Sequence, residues 1–110
     1  MTDHAFQKGN NQNIDLIVSD IYGHDSNNLG LPPDLIASSL GKLGKMTPEE
    51  LSTLNDDDIC RSILLAFAIN IGILSANYLK NEGIESCIVV GDKLHNKYFY
   101  LAIQVNYFLS

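Results

Sequence analysis

Three histidines and two cysteines are the side chains of this 110-residue sequence that are best suited to catalysis or metal binding. The histidines, His4, His24 and His95, lie far apart, and an isolated histidine in a loop is more often an exposed polar residue than a ligand. Cys60 and Cys87 have neither the paired spacing of a zinc site nor a nearby cationic group that would activate a thiolate. We therefore expect two reduced thiols in the core, no catalytic residue and no metal site.

Three consecutive aspartates, Asp56–Asp58, form the densest group of potential metal ligands, and they follow Asn55. Carboxylates in the first turn of a helix interact favourably with the helix dipole, and this arrangement is far commoner than a metal site made of adjacent aspartates. We interpret the run as the start of a helix.

Small residues at the ends of two segments could let a ligand approach the backbone. Gly91 ends an apolar run and precedes Asp92, so it is either a turn glycine with positive φ or a point of close approach. Ser38 and Ser39 precede Gly41 and could cap a turn or face a ligand, and capping is the simpler interpretation.

The acidic composition argues against nucleic acid or an anionic membrane as a main partner. Thirteen acidic residues against seven basic ones give a formal net charge of -6, which repels a phosphate backbone. The N-terminus lacks the pattern of a signal peptide, which together with reduced cysteines predicts a cytoplasmic protein. The longest apolar stretch, Ile63–Ala76, is shorter than the roughly 20 residues that cross a bilayer, and we expect it to be a buried core helix.

The N-terminal half of the chain contains two helix-like patterns. A helix is predicted over about residues 14–22, with Asn13 as its N-cap and Gly23 at its end. It depends on four apolar residues that recur with the spacing of one helix face: Ile14, Ile17, Val18 and Ile21. A second, short helix is predicted from near Asp34 to Leu40.

The C-terminal half is predicted to form a short helix, a long helix, a strand and a final helix. Thr47–Glu50 has the pattern of a capping box with proline at the first helical position, and the long helix covers about residues 59–81. The β-branched apolar run at about 86–90 indicates a strand buried on both faces, and the final helix covers about 96–109. A single buried strand cannot satisfy its backbone hydrogen bonds. Its neighbours must therefore come from another copy or from the rest of a larger α/β domain.

Five short segments, taken in order, resemble the C-terminal part of the type II (eukaryotic-type) pantothenate kinases. The family has D-I-Y-G-G, G-L-P, A-S-S-F-G or A-S-N-F-G, an N-I-G helix and a strand that ends in V-G-N or I-G-S. The chain departs from it at three positions, where His24 replaces a glycine, Leu40 a phenylalanine and Asp92 another polar residue. The five segments are Asp20–Gly23, Leu29–Pro32, Ala37–Gly41, Asn70–Gly72 and Val89–Asp92.

This resemblance implies an α/β fold of the actin, sugar-kinase and Hsp70-like ATPase type. Residues 1–110 would be a single partial domain, the C-terminal half of that fold, mostly helical with one buried strand at about 86–90. In the family, ATP phosphorylates pantothenate in the first step of coenzyme A biosynthesis, and the complete enzyme is expected to use ATP and Mg²⁺. The resemblance places Gly91, Asp92 and Ser39 on the nucleotide side as cofactor-binding residues.

The sequence shows no counterpart of the family's N-terminal phosphate loop or of its catalytic carboxylate, so the chain alone is expected to be inactive. One alternative is a non-catalytic truncated module that associates with a full-length partner, and another is a member of the same superfamily with a different substrate. A homo-oligomer or a complementing chain would supply the missing neighbours of the strand.

Overall fold

A computed structural model describes residues 2–23, 30–92 and 96–109. The chain forms two compact units, residues 3–63 and residues 64–110. The described part is mostly helical, as expected, and its sheet has two strands. His24, Leu29 and His95 lie outside the described residues.

The first unit is built from short elements that precede a long helix. A 3-10 turn separates α1 from β1, and a second 3-10 turn precedes α3. The strands β1 and β2 are antiparallel, with Leu16 opposite Ser38 and Ile17 opposite Ile36. The elements are α1 (Thr2–Lys8), β1 (Leu16–Ile17), α2 (Val18–Tyr22), β2 (Ile36–Ser38), α3 (Pro48–Ser52) and the start of α4 (Asp56–Glu82).

The helix expected over residues 14–22 is wrong in its first half, because α2 begins only at Val18. Ile14 and Ile17 are buried as the periodicity requires, but Ile17 belongs to β1, whereas Ile21 is 53% exposed. β-Branched residues suit both structures, so their spacing over such a short segment does not distinguish them. Asn13 is not the N-cap of a helix; its side-chain amide donates to Asp58 at 2.9 Å.

The short helix expected from Asp34 is also wrong, because Ile36–Ser38 is the strand β2. The backbone of β1 and α2 supplies the deciding interactions: Val18 N donates to Leu35 O at 2.8 Å, and Ser19 N donates to Pro33 O at 2.9 Å. The sequence of this segment does not reveal partners that lie about twenty residues earlier in the chain.

The predictions for α3 and α4 are confirmed. The Thr47 hydroxyl accepts from Glu50 N at 3.2 Å, while the Glu50 carboxylate accepts from Thr47 N at 3.4 Å, which completes the capping box. Asn55 Oδ1 accepts from Asp57 N at 2.8 Å at the start of α4. Gly83 ends α4 with φ +66°, in the left-handed region that glycine adopts readily.

In the second unit, the C-terminal part of α4 packs against α5 (Lys97–Leu109). A Cβ atom on Gly72 would lie 2.8 Å from Ile103 O and from Tyr107 N, so the close approach of the two backbones requires glycine. Asn96 caps α5, because its Oδ1 accepts from Phe99 N at 3.0 Å. The expected final helix is thus confirmed to within one residue at its start.

The buried strand expected at about 86–90 is not formed. Residues 84–91 have no regular secondary structure, and Ile88 and Val90 are 90% and 85% exposed. Such a run needs neighbouring strands for its backbone hydrogen bonds, and the sheet in the described residues contains only β1 and β2. Cys87 is accordingly exposed rather than in the core, while Cys60 is half-buried, and both thiols are free.

By length and composition alone, α4 could cross a membrane. Core helices of soluble proteins share those properties, so the observation is weak evidence. The expectation that this helix is buried all round is wrong within this chain, since Phe67, Leu74 and Tyr78 are 61%, 67% and 62% exposed. An apolar surface of α4 is therefore left uncovered by the described residues.

Candidate functional site

The three predicted site residues are not assembled within one unit. Ser39 lies in the first unit, directly after β2, and is exposed. Gly91 and Asp92 lie in the second unit and are also exposed. A Cβ atom on Gly91 would meet no atom within 4 Å, and the φ of Gly91 lies outside the left-handed region. The structure therefore gives Gly91 no positive-φ turn role.

Ser39 belongs to a tight turn, Ser38–Gly41, which we call the serine turn. Gly41 N donates to Ser38 O at 3.1 Å, and Lys42 N donates to Ile14 O at 2.9 Å. Leu40 has φ +59°, the one positive value among the described non-glycine residues. The 3-10 turn that follows has Lys42 at its N-cap position, so neither serine caps it.

A buried carboxylate, Asp15, accepts a hydrogen bond from the backbone of the serine turn. Asp15 is fully buried, and its Oδ1 accepts from Leu40 N at 2.7 Å and from the Ser62 hydroxyl. Its Oδ2 accepts from the Asn11 side-chain amide at 2.9 Å. Ser62, on α4, is also fully buried. One side chain thus connects the N-terminal segment, the serine turn and the first part of α4.

A second carboxylate, Asp58, connects the N-terminal segment to the same helix. Its Oδ1 accepts from Asn10 N at 2.7 Å, and its Oδ2 accepts from the Asn13 side chain. Arg61, one turn further along α4, donates to Phe6 O at 2.6 Å and to Asn11 Oδ1 at 3.2 Å. Asp58 therefore binds the N-terminal segment, in addition to the interaction with the helix dipole that the sequence predicts. The signal that could have revealed it is the amide-rich run at residues 10–13.

Asp20 contacts Lys42, the residue that follows the serine turn. Asp20 Oδ2 accepts from Ile17 N at 2.9 Å and lies 3.3 Å from Lys42 Nζ. The backbone hydrogen bond from Ile17 is the main cause that lowers the pKa of Asp20, with Lys42 contributing and partial burial acting in the opposite direction. Lys42 Nζ also donates to Gln12 O. The Lys42 ammonium group is thus held by a carboxylate and a backbone carbonyl of the first unit.

Three acidic side chains near the serine turn and α4 are already engaged by protein donors. Both oxygens of Asp15 and of Asp58 accept hydrogen bonds from protein donors, and Asp20 Oδ2 is shared between Ile17 N and Lys42. Within residues 2–23, 30–92 and 96–109, no three histidine, cysteine or acidic side chains are placed to hold a metal ion.

Comparison with known proteins identifies relatives along most of the chain. It is 33% identical over 90 residues to a pantothenate kinase of Schizosaccharomyces pombe, which is 80% of this chain and 22% of that protein. It is 43% identical over 70 residues to pantothenate kinase 2 of Oryza sativa subsp. japonica, which is 63% of this chain and 8% of that protein. It is 36% identical over 78 residues to a 4'-phosphopantetheine phosphatase of Mus musculus, which is 71% of this chain and 9% of that protein.

The chain thus spans less than a quarter of the length of these relatives, between 8% and 22%. The resemblance to pantothenate kinases that the five short segments predicted is confirmed by the two kinases at 33% and 43% identity. The family profile described as Fumble matches residues 2–109. Because that match extends over nearly the whole chain, the chain belongs to the Fumble family.

Proposed function

We propose that this chain is part of an ATP-dependent pantothenate kinase. The observation that carries the proposal is the Fumble match over residues 2–109, together with relatives named pantothenate kinase at 33–43% identity. In this proposal the complete protein has the actin, sugar-kinase and Hsp70-like ATPase fold. The chain contributes part of its C-terminal half, and ATP and pantothenate are the substrates.

The geometry of the first unit supports a nucleotide-side role for Ser39. The serine turn presents Ser39 to solvent, Asp15 fixes the backbone of the next residue from the buried side, and Lys42 lies immediately after the turn. A serine hydroxyl can donate to a phosphate oxygen. Gly91 and Asp92 remain proposed ligand-side residues of the second unit, where open space surrounds the glycine. The acidic groups described above leave this chain with no assigned magnesium ligand.

A second candidate function is that of a non-catalytic module that associates with a complementing chain or with another copy of itself. The observation that favours it is the exposure of Ile88 and Val90 at 90% and 85% in a β-branched segment. Exposed apolar segments of this composition tend to pair with a further strand.

A segment-exchange enzyme tests the proposed kinase function. The matched 90-residue segment of the S. pombe pantothenate kinase is replaced by the corresponding residues of this chain, and phosphopantothenate formation from ATP is measured. We expect the exchange enzyme to phosphorylate pantothenate, while the same kinase with the segment deleted and the 110-residue chain alone do not.

The same proteins distinguish the alternatives. An exchange enzyme that folds and binds ATP but forms no phosphopantothenate contradicts the proposal. Hydrolysis of 4'-phosphopantetheine by the exchange enzyme would instead favour the activity for which the mouse relative is named. Restored activity when the separate chain is mixed with the deleted kinase would favour the complementing module.

A further inference from the structure

The backbone of Leu40 adopts a conformation that leucine rarely occupies. Its φ of +59° lies in the left-handed region, where the Cβ atom of an L-residue is crowded by the following carbonyl. Leu40 is 38% exposed, so its side chain is only partly covered by neighbours. A specific interaction with its backbone is needed to hold the residue there, because such conformations persist only where the surroundings determine them.

Asp15 supplies that interaction. Its Oδ1 accepts from Leu40 N at 2.7 Å, a short bond to a fully buried carboxylate. The same oxygen accepts from the Ser62 hydroxyl, and Oδ2 accepts from the Asn11 amide, so the carboxylate is fixed from two other segments. Hydrogen bonds to charged acceptors are roughly twice as strong as those between neutral groups. The carboxylate is therefore well suited to select one backbone conformation of the serine turn.

We propose that Asp15 is a positioning residue that holds Leu40 in the left-handed conformation and thereby orients Ser39 towards the phosphates of the nucleotide. The nucleotide part of this proposal rests on the proposed function. Asp15 does not touch the ligand. Ser62 supports it from α4, so that the orientation of the serine turn is coupled to the long helix.

Hydrogen exchange at the Leu40 amide tests the positioning role without any enzyme activity. In the 110-residue chain, Asp15→Asn keeps the shape of the side chain, leaves only a neutral oxygen as acceptor for Leu40 N, and turns an NH2 group towards the Asn11 amide. We expect the Leu40 amide to exchange about tenfold faster, the change that corresponds to weakening a charge-assisted hydrogen bond.

Asp58→Asn is the matched control, because Asp58 is also a buried carboxylate of the first unit that accepts a backbone N–H at 2.7 Å. Its partners, Asn10 and Asn13, lie outside the serine turn. A loss of stability common to both variants would accelerate exchange in both. A local positioning role predicts acceleration at Leu40 in Asp15→Asn alone.

The KM for ATP of the segment-exchange enzyme tests the nucleotide part of the proposal. Asp15→Asn should raise the KM for ATP about tenfold with a smaller change in kcat, while Asp58→Asn leaves the KM for ATP unchanged. Leu40→Gly should reduce the effect of Asp15→Asn on the KM for ATP, because glycine adopts positive φ without help. A purely structural role for Asp15 predicts no such rescue.

The outcomes separate this inference from the proposed function. Unchanged exchange at Leu40 in Asp15→Asn overturns the positioning role, whether or not the exchange enzyme is active. Faster exchange at Leu40 with an unchanged KM for ATP overturns the nucleotide-facing orientation. An exchange enzyme that folds and binds ATP but forms no phosphopantothenate refutes the proposed function, while faster Leu40 exchange in Asp15→Asn still supports the positioning role of Asp15.

Discussion

At the scale of single residues, two glycines are required by their neighbours rather than by their backbone angles. A Cβ atom on Gly41 would lie 2.8 Å from Ser38 Oγ and 2.9 Å from Leu16 Cγ, and one on Gly72 would meet the backbone of α5. Neither has φ in the left-handed region. Gly72 is therefore a packing glycine, placed where the backbones of α4 and α5 approach closely.

Gly72→Ala should destabilise the second unit, although alanine normally favours a helix over glycine by about 1 kcal/mol. The new methyl group would lie 2.8 Å from Ile103 O and Tyr107 N, atoms that cannot move without shifting α5. We expect the free energy of unfolding to fall by about 1–3 kcal/mol, as for other overpacked sites. Urea unfolding measures it. Gly44→Ala is the control, since no atom lies within 4 Å of its Cβ position, and equal losses at both positions would contradict the packing argument.

Asp20 should make the free energy of unfolding of the first unit fall at acidic pH. Its pKa in the folded state is below its ordinary value of 3.8, chiefly because of the Ile17 N–H. A lowered pKa means that the stabilisation is fully present above pH 3.8 and is lost as the pH falls through the lower folded value. Asp20→Asn should flatten the decline below about pH 4, and Lys42→Met should flatten it less. Urea unfolding midpoints are measured across this pH range for the wild type and both variants. If the midpoints of all three proteins depend equally on pH, this account is refuted.

At the scale of elements, the helices with clear caps are those that the sequence predicts well. Capping is a local interaction, and the residues that form it are three positions apart in α3 and in α5. The predictions for the first half of 14–22, for 34–40 and for 86–90 are wrong because the structure of these segments depends on partners elsewhere in the chain or on neighbouring strands.

The candidate site also contains residues that the sequence indicates and residues that depend on distant partners. Ser39, Gly91 and Asp92 were proposed from the resemblance, and their ligand roles remain predictions. Asp15 was missed because its partners Leu40 and Ser62 lie 25 and 47 residues away in sequence, a distance at which no local pattern identifies them.

Asn96→Ala should shorten α5 from its N-terminus. The side chain accepts from Phe99 N at 3.0 Å, and loss of such a cap costs about 1 kcal/mol. Circular dichroism should show reduced helix content and a lower midpoint temperature of thermal unfolding. The control is Asn77→Ala, at an exposed position inside α4. If both substitutions have the same effect, the cap at Asn96 does not stabilise α5.

At the scale of the whole molecule, the described residues leave extensive apolar surface uncovered. The most exposed large apolar side chains lie on α4 and in the segment after it, and they include Phe67, Leu74, Ile88 and Val90. Surfaces of this kind favour association. A section that spans less than a quarter of its relatives is expected to have such surfaces where the rest of those proteins would pack.

The isolated chain should therefore form dimers or larger assemblies. Replacing the two most exposed large apolar residues among those described, Ile88→Lys with Val90→Lys, should shift sedimentation towards the monomer, because charge opposes pairing of the segment with another strand. Asp34→Lys, at an exposed position of the first unit, is the control for the added charge. A monomeric wild-type chain that binds no hydrophobic dye would contradict this expectation.

The central claim is that this chain supplies part of a pantothenate kinase. Its most direct test is the initial rate of phosphopantothenate formation by the segment-exchange enzyme at saturating ATP and pantothenate. We expect a rate well above that of the deleted kinase, and one that falls when Gly41→Val is introduced, because the larger side chain would collide with Ser38 and Leu16. A folded exchange enzyme that binds ATP yet has the same rate as the deleted kinase would contradict the claim.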